Sequence, residues 1–316
     1  MFSLLQTPLE QCLLTKQVIR LQAKQPTLNP ANKQRVLVFD SGVGGLSVCR
    51  EIIACKPQLE LHYLSDNAAF PYGEKTAEQL ISRASTVLLK ACQQIKPNIV
   101  VIACNTASTV VLPSLRDQLS IPIVGVVPAI KTAATISKTK TFALLATPGT
   151  VNRNYTQQLI DEHASECRVI RVGSSQLVRH IEAYIHGEPL DTAFLRQIIK
   201  QLTEQVGGNE IDTVVLGCTH FPLIGEQLKK IHAQWQWVDS GAAIANRVSH
   251  LLEQDTTISS KSESKTKKEN ENEKEEKNKN KASHFFWLTQ ASDKQTTLDH
   301  YLINDGFEPS RVLSLK

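Results

Sequence analysis

Two stretches decide the fold: Val100-Val101-Ile102-Ala103-Cys104-Asn105-Thr106-Ala107-Ser108 and Val214-Val215-Leu216-Gly217-Cys218-Thr219-His220-Phe221-Pro222. Each is an apolar, strand-like run that ends at a cysteine, after which a helix opens. At the carboxyl edge of a parallel strand a thiol is exposed beside backbone N–H groups that favour its thiolate form. Two such thiols facing each other across one pocket form a two-sided acid/base device. Taken singly, each cysteine also reads as a small buried residue, as free cysteine often is. The repetition of the pattern, with Asn-Thr after one and Thr-His after the other, favours the functional reading.

Working outward, short β-rich runs alternate with amphipathic stretches from Arg35 onward, as in a parallel sheet covered by helices. The strand candidates are Val36–Phe39, Leu61–Leu64, Ile99–Ala103, Ile121–Val127, Thr141–Ala146, Arg168–Val172, Thr213–Gly217, Trp235–Val238, Phe285–Leu288 and Val312–Leu315. Thr76–Ile95 reads as a helix from its capping threonine, Glu78 and the spacing of Leu80, Val87, Leu88 and Cys92. Ala193–Val206 reads the same way. Phe39-Asp40-Ser41-Gly42 recurs as Val238-Asp239-Ser240-Gly241, so the two halves echo one another twice. The expected fold class is α/β: two pseudo-symmetric lobes, each a mostly parallel sheet flanked by helices, with the active site in the cleft between them. One lobe takes residues 35–127 and 240–316, the other 128–239.

With 316 residues and 41% hydrophobic content the chain can build two cores. Residues 255–283 are of another kind, dominated by Lys, Glu, Asn and Ser, and cannot bury enough surface to offset the entropy of ordering. They are expected to form a solvated loop or frayed helix inserted in the first lobe, because globular patterning resumes at His284. The net charge is +4 and much of the charge lies in that tract, so the basic balance says little about a nucleic-acid partner and none is required. The seven cysteines lack any Cys-x-x-Cys spacing, which argues against a disulfide framework and a zinc site; no metal is expected. Residues 1–34 form an extension without the features of a signal peptide, and no run approaches membrane-spanning length, so a cytoplasmic protein without a membrane partner is expected.

Asp40-Ser41-Gly42-Val43-Gly44-Gly45 joins a strand to a helix, a turn that cradles anions because its N–H groups point outward. It fails as a dinucleotide fingerprint, since Ser47 stands where the third glycine would be; a carboxylate is the more fitting anion. Asp40 is placed to hold a proton from a neighbouring thiol, or else to accept the N–H groups of its own turn. The loop from Asp66 to Lys75 carries Pro71 and Gly73, whose backbone can meet a ligand. Thr150, in another strand-to-helix turn, is a candidate contact. His220 can orient or tune the Cys218 thiol. Glu182 reads as a surface position of a helix on its local sequence.

Asp-Ser-Gly-Val-Gly-Gly-Leu-Ser-Val (40–48), Pro-Tyr-Gly-Glu-Lys (71–75), Ala-Cys-Asn-Thr-Ala-Ser (103–108), Gly-Val-Val-Pro-Ala-Ile-Lys (125–131) and Leu-Gly-Cys-Thr-His-Phe-Pro-Leu (216–223) together resemble the bacterial glutamate racemases, in the aspartate/glutamate racemase family. The resemblance runs from about Val36 to His250 and resumes weakly after His284. It implies an amino-acid racemase that uses no cofactor, with two α/β lobes around a buried glutamate, supplying D-glutamate for peptidoglycan. Carried onto this chain, it makes Cys104 and Cys218 the acid/base thiols, with Asp40 assisting Cys104, and His220 and Glu182 assisting Cys218. It makes Asp40, Ser41, Tyr72, Gly73, Asn105, Thr106, Thr219 and His220 the substrate contacts. Relatives with extended N-termini respond to a cell-wall precursor, so residues 1–34 are a candidate for contact with such an activator. Members associate in different ways, which leaves a homodimer open.

Cysteine suits two-base racemisation because its ordinary pKa of about 8.5 permits either thiol or thiolate near neutrality. Lobe closure would dry the site, with hinges expected near Val126–Pro128 and Val238–Gly241. The rival readings are a racemase of another acid such as aspartate, a two-lobed amino-acid-binding protein without chemistry, and a cysteine hydrolase, for which a second symmetric thiol would be superfluous.

Overall fold

The computed structural model describes residues 34–261 and 283–315. The N-terminal extension, Cys12 and most of the charged tract therefore lie outside the described residues. Among the described residues ten strands form: β1 Arg35–Asp40, β2 Glu60–Ser65, β3 Ile99–Ile102, β4 Ile123–Gly125, β5 Thr141–Ala146, β6 Arg168–Gly173, β7 Thr213–Leu216, β8 Gln236–Val238, β9 His284–Leu288 and β10 Arg311–Val312. Each overlaps an expected strand, and the differences are at the ends. The last is the most changed: β10 has two residues, and Leu313, expected inside it, is buried just beyond its end.

Two sheets result, ordered β10-β9-β2-β1-β3-β4 and β6-β5-β7-β8, with every pairing parallel. The run β2-β1-β3-β4 has the same connectivity as β6-β5-β7-β8, which is the pseudo-symmetry expected of two α/β lobes. β3 and β7 are equivalent strands, so the cysteine echo marks equivalent positions. The Asp-Ser-Gly echo does not. Asp239 follows β8, an edge strand that matches β4, whereas Asp40 ends the central strand β1; the position equivalent to Asp40 is Ala146, the last residue of β5, and Thr147 matches Ser41.

Central strands are apolar on both faces because helices cover both. Val36 and Val38 join one cluster with Leu46 and Ile52, while Leu37 and Phe39 join a second with Leu80, Val87 and Leu88. The helix Ala77–Ile95 starts in a capping box in which Thr76 accepts from the Gln79 N–H and Gln79 reaches back to the Thr76 N–H. Gln79, not Glu78, is thus the reciprocal partner; Glu78 adds first-turn charge. The second expected helix runs Thr192–Thr203 from an Asp191 cap and stops short of Val206, which is 87% exposed.

β1 lies between β2 and β3, so the connections leaving it run in opposite directions and open a crevice at the carboxyl ends of β1 and β3. β5 between β6 and β7 does the same in the other sheet. The chain crosses between the sheets after β4 and again after β8, where the helix Gly241–Lys261 returns to pack on Leu46–Cys55. The Ser240 hydroxyl donates to the Val127 carbonyl and ties the two crossings together, within the segments expected as hinges. The helix Gly241–Lys261 carries the backbone into the charged tract, and β9 resumes at His284 beside β2. Among the described residues no helix is long and apolar enough to cross a membrane, and all six cysteines are free.

Candidate active site

The two crevices face one another across a single pocket. Cys104 and Cys218 both line it, each 7% exposed. Asp40, Ser41, Tyr72, Gly73, Asn105, Thr106, Thr219 and His220, all expected as contacts, line it as well. The two thiols reach it differently. Cys104 is the cap residue of the α-helix Asn105–Gln118, whereas Cys218 enters a 3-10 turn, Phe221–Ile224, that precedes the helix Gly225–Ile231.

Burial pushes the Cys104 thiol well up and the nearby Asp40 charge adds to this, while the N–H groups of Ala107 and Thr106 pull it back. Cys218 Sγ lies 3.8 Å from His220 Nδ1, and His220 Nε2 lies 2.6 Å from Glu182 Oε2. Burial alone would lower the imidazole; its hydrogen bonds to Cys218 and Glu182 outweigh that and hold it well above its ordinary range. Burial likewise works against the Glu182 charge, but the bond from His220 and the N–H of Val43 hold its carboxyl below the usual value. The result is a buried chain of sulfur, imidazole and carboxylate.

Glu182 is therefore not a surface residue: its side chain is 15% exposed and bridges the lobes through Val43. Asp40 follows the second of its two local readings, as an acceptor of its own turn, and adds a contact across the lobes. Its carboxylate accepts from the Ser41 N–H at 2.5 Å and from Thr219 Oγ1 at 2.7 Å, so its direct partners are its own turn and the opposite lobe. It acts on Cys104 through its charge, without a hydrogen bond to that thiol. Burial raises the Asp40 pKa, with His220 and Thr219 opposing the rise.

Asn105 Oδ1 is buried on the pocket wall without a protein hydrogen-bond partner, an acceptor available to a ligand. Thr106 Oγ1 meets Thr147 Oγ1 at 3.0 Å and Thr150 Oγ1 at 3.3 Å, joining the lobes through buried hydroxyls. Thr150 is fully buried behind this contact and is not part of the pocket lining. Pro71, from the loop expected to meet a ligand, does line the pocket, and Thr147, Ser175 and Val178 join it without having been singled out. Thr147 had a legible signal, as the strand-end residue after β5; Ser175 and Val178 sit on an ordinary amphipathic helix, Ser175–Ile185, and carried none.

Two parallel α/β lobes of matching strand order, with a cysteine after the equivalent strand of each and both thiols on one pocket, define a racemase class of isomerase. The chain belongs to the Asp/Glu/Hydantoin racemase family, whose sequence model matches residues 41–248. It is 52% identical to the glutamate racemase of Vibrio cholerae serotype O1 over 228 residues, covering 72% of this chain and 84% of that one. Against the Klebsiella pneumoniae glutamate racemase the identity is 49%, over 72% of this chain and 80% of the relative. The crystal structure of Escherichia coli glutamate racemase in complex with L-glutamate and activator UDP-MurNAc-ala superposes with a TM-score of 0.77 at 38% identity, covering 90% of this chain and 99% of that chain.

Proposed function

We propose that this chain interconverts L- and D-glutamate without a cofactor, by removing the α-proton with one thiolate and returning a proton from the opposite thiol. The observation that carries this reading is the placement of Cys104 and Cys218 at equivalent strand ends of facing lobes, on one pocket. Two opposed sulfurs let a flat carbanion be reprotonated on its other face without turning over. The family membership and the glutamate racemases among the relatives supply the substrate.

In this mechanism Glu182 holds His220 charged, and His220 in turn steadies the Cys218 sulfur from 3.8 Å. On the other side, the N–H groups at the start of Asn105–Gln118 favour the Cys104 thiolate, and Asp40 opposes it by charge. Asn105 Oδ1 is positioned to accept from the substrate ammonium, while Ser41, Thr106, Thr219 and the backbone at Tyr72–Gly73 take the carboxylates. Charge developing on the α-carbon is dispersed into that dry, hydrogen-bonded carboxylate. Residues 35–127 with 240–316 form one lobe and 128–239 the other, and the product serves peptidoglycan synthesis in the cytoplasm. Residues 1–34 take part in the response to a peptidoglycan precursor, as the activator bound to the E. coli relative suggests.

Incubation with each enantiomer of glutamate, and of aspartate, in deuterated water tests this. Exchange of the glutamate α-hydrogen with interconversion of the enantiomers is expected; an untouched α-hydrogen rejects the reaction. Equal activity of the full chain with and without the precursor rejects the regulatory part.

A further inference from the structure

The wall of the pocket formed by Pro71, Tyr72 and Gly73 belongs to a loop, not to a strand or a long helix. A loop wall needs an anchor if it is to hold a small acid between two thiols. The anchor is Asp66, the first residue past β2, whose side chain is fully buried. Its Oδ2 accepts from the Tyr72 hydroxyl at 2.6 Å and from Arg83 Nε at 2.9 Å. Its Oδ1 accepts from Arg83 Nη2 at 2.6 Å and from Thr289 Oγ1 at 2.7 Å. Its own N–H donates to the Asp40 carbonyl at 2.8 Å, which sets it against the end of β1.

We infer that Asp66 is a positioning residue for substrate binding: through Tyr72 it fixes the Pro71–Gly73 wall, and through Thr289 it couples that wall to β9. This rests on the reaction proposed above. A buried carboxylate must be fully paired, and four donors from three separate segments do so here. Tyr72 is 1% exposed, and its ring packs 6.1 Å from that of Phe39, beside Asp40, so its hydroxyl has nowhere to turn if the carboxylate is lost. Burial and the adjacent Asp66 charge raise the Tyr72 pKa, which keeps the hydroxyl a donor. The wall also abuts the second lobe. A Cβ on Gly73 would lie 3.0 Å from the Thr147 Cβ, and one on Gly149 would lie 2.8 Å from the Gly73 carbonyl oxygen. A displaced wall therefore alters the space between the lobes while leaving both sulfurs on their strand ends.

The test uses full-length Asp66→Asn and Tyr72→Phe proteins, with glutamate affinity by calorimetry, KM and kcat for both enantiomers, and thermal melting. Asp66→Asn is expected to weaken affinity and raise KM about tenfold, equally for L- and D-glutamate. Its saturated rate of α-hydrogen exchange should stay within about threefold of wild type. Tyr72→Phe should weaken affinity about threefold. Affinity within about twofold of wild type in both folded variants overturns the inference, as does a loss confined to one enantiomer or to kcat. Should Asp66→Asn fail to fold, unchanged affinity in Tyr72→Phe overturns it alone. A wild-type protein that binds glutamate without exchanging its α-hydrogen rejects the reaction, while the calorimetric comparison still decides the role of Asp66. A wild type that does not bind glutamate rejects both.

Discussion

Glu182 and His220 are 38 residues apart in the chain, yet their Oε2 and Nε2 atoms meet at 2.6 Å. The same Glu182 oxygen accepts the N–H of Val43 from the other lobe at 3.1 Å. One carboxylate thus sustains the charge of the imidazole beside Cys218 and seals the first lobe's glycine turn against it. The thiol on the opposite side has no counterpart to this pair and relies on helix N–H groups instead. The two acid/base groups are symmetric in topology and unlike in chemistry.

That asymmetry predicts a directional defect. His220→Asn should slow the direction that needs the Cys218 thiolate by about 100-fold and the reverse direction less. Glu182→Gln keeps a hydrogen-bonding group but removes the charge, so a smaller loss with the same bias is expected. Initial rates of α-hydrogen exchange from each enantiomer measure it; equal losses in both directions would argue that the pair only supports the fold.

Cys104→Ser and Cys218→Ser should each leave a protein that binds glutamate but exchanges its α-hydrogen at least about 100-fold more slowly from one hand than wild type does. The impaired hand should differ between the two variants. Impairment of the same hand in both would refute the two-base arrangement.

The ion pair sets a pH window for stability. The folded His220 value lies above its ordinary 6.5, so its contribution is complete below about 6.5 and fades as pH rises through the higher folded value. The folded Glu182 value lies below 4.5, so its contribution is present above that and fades as pH falls through the lower folded value. The melting-temperature gap between wild type and Glu182→Gln/His220→Gln should therefore be widest between these limits and shrink on either side. A gap that widens steadily from neutral to alkaline pH would show that His220 is neutral in the folded protein.

Two glycines offer a steric contrast. A Cβ on Gly44 would stand 2.3 Å from His220 Nδ1 and 2.7 Å from Thr219 Oγ1, groups held by their own hydrogen bonds. Gly44→Ala should cost about 1–3 kcal/mol and reduce turnover by displacing the imidazole. A Cβ on Gly225 meets nothing within 4 Å, and its φ of −55° is helical. Gly225→Ala should be neutral or stabilise by up to about 1 kcal/mol. Denaturant melts of both proteins check this; a neutral Gly44→Ala would mean the glycine turn is not closed on His220.

Periodicity and punctuation are local properties, and what depends on them was legible in the chain. The strand ends, expected at Ala103 and Gly217 and found one residue earlier, could be read because β-branched runs give way to polar helix-opening residues. So could the turn at Asp40–Gly45, the capping threonine Thr76, and the resumption of order at His284. Those features settle the fold class and put two thiols at the carboxyl edges of parallel strands. Tertiary structure alone decided which distant groups meet there. It took Glu182 off an apparent helix surface and buried it against His220, and it turned Asp40 toward Thr219. It brought Ser175 and Val178 to the pocket, and it collected Tyr72, Arg83 and Thr289 around Asp66. The physical reason is that a polar side chain's role is set by its partners' desolvation and geometry, and partners tens to hundreds of residues away leave no trace in the spacing of their neighbours.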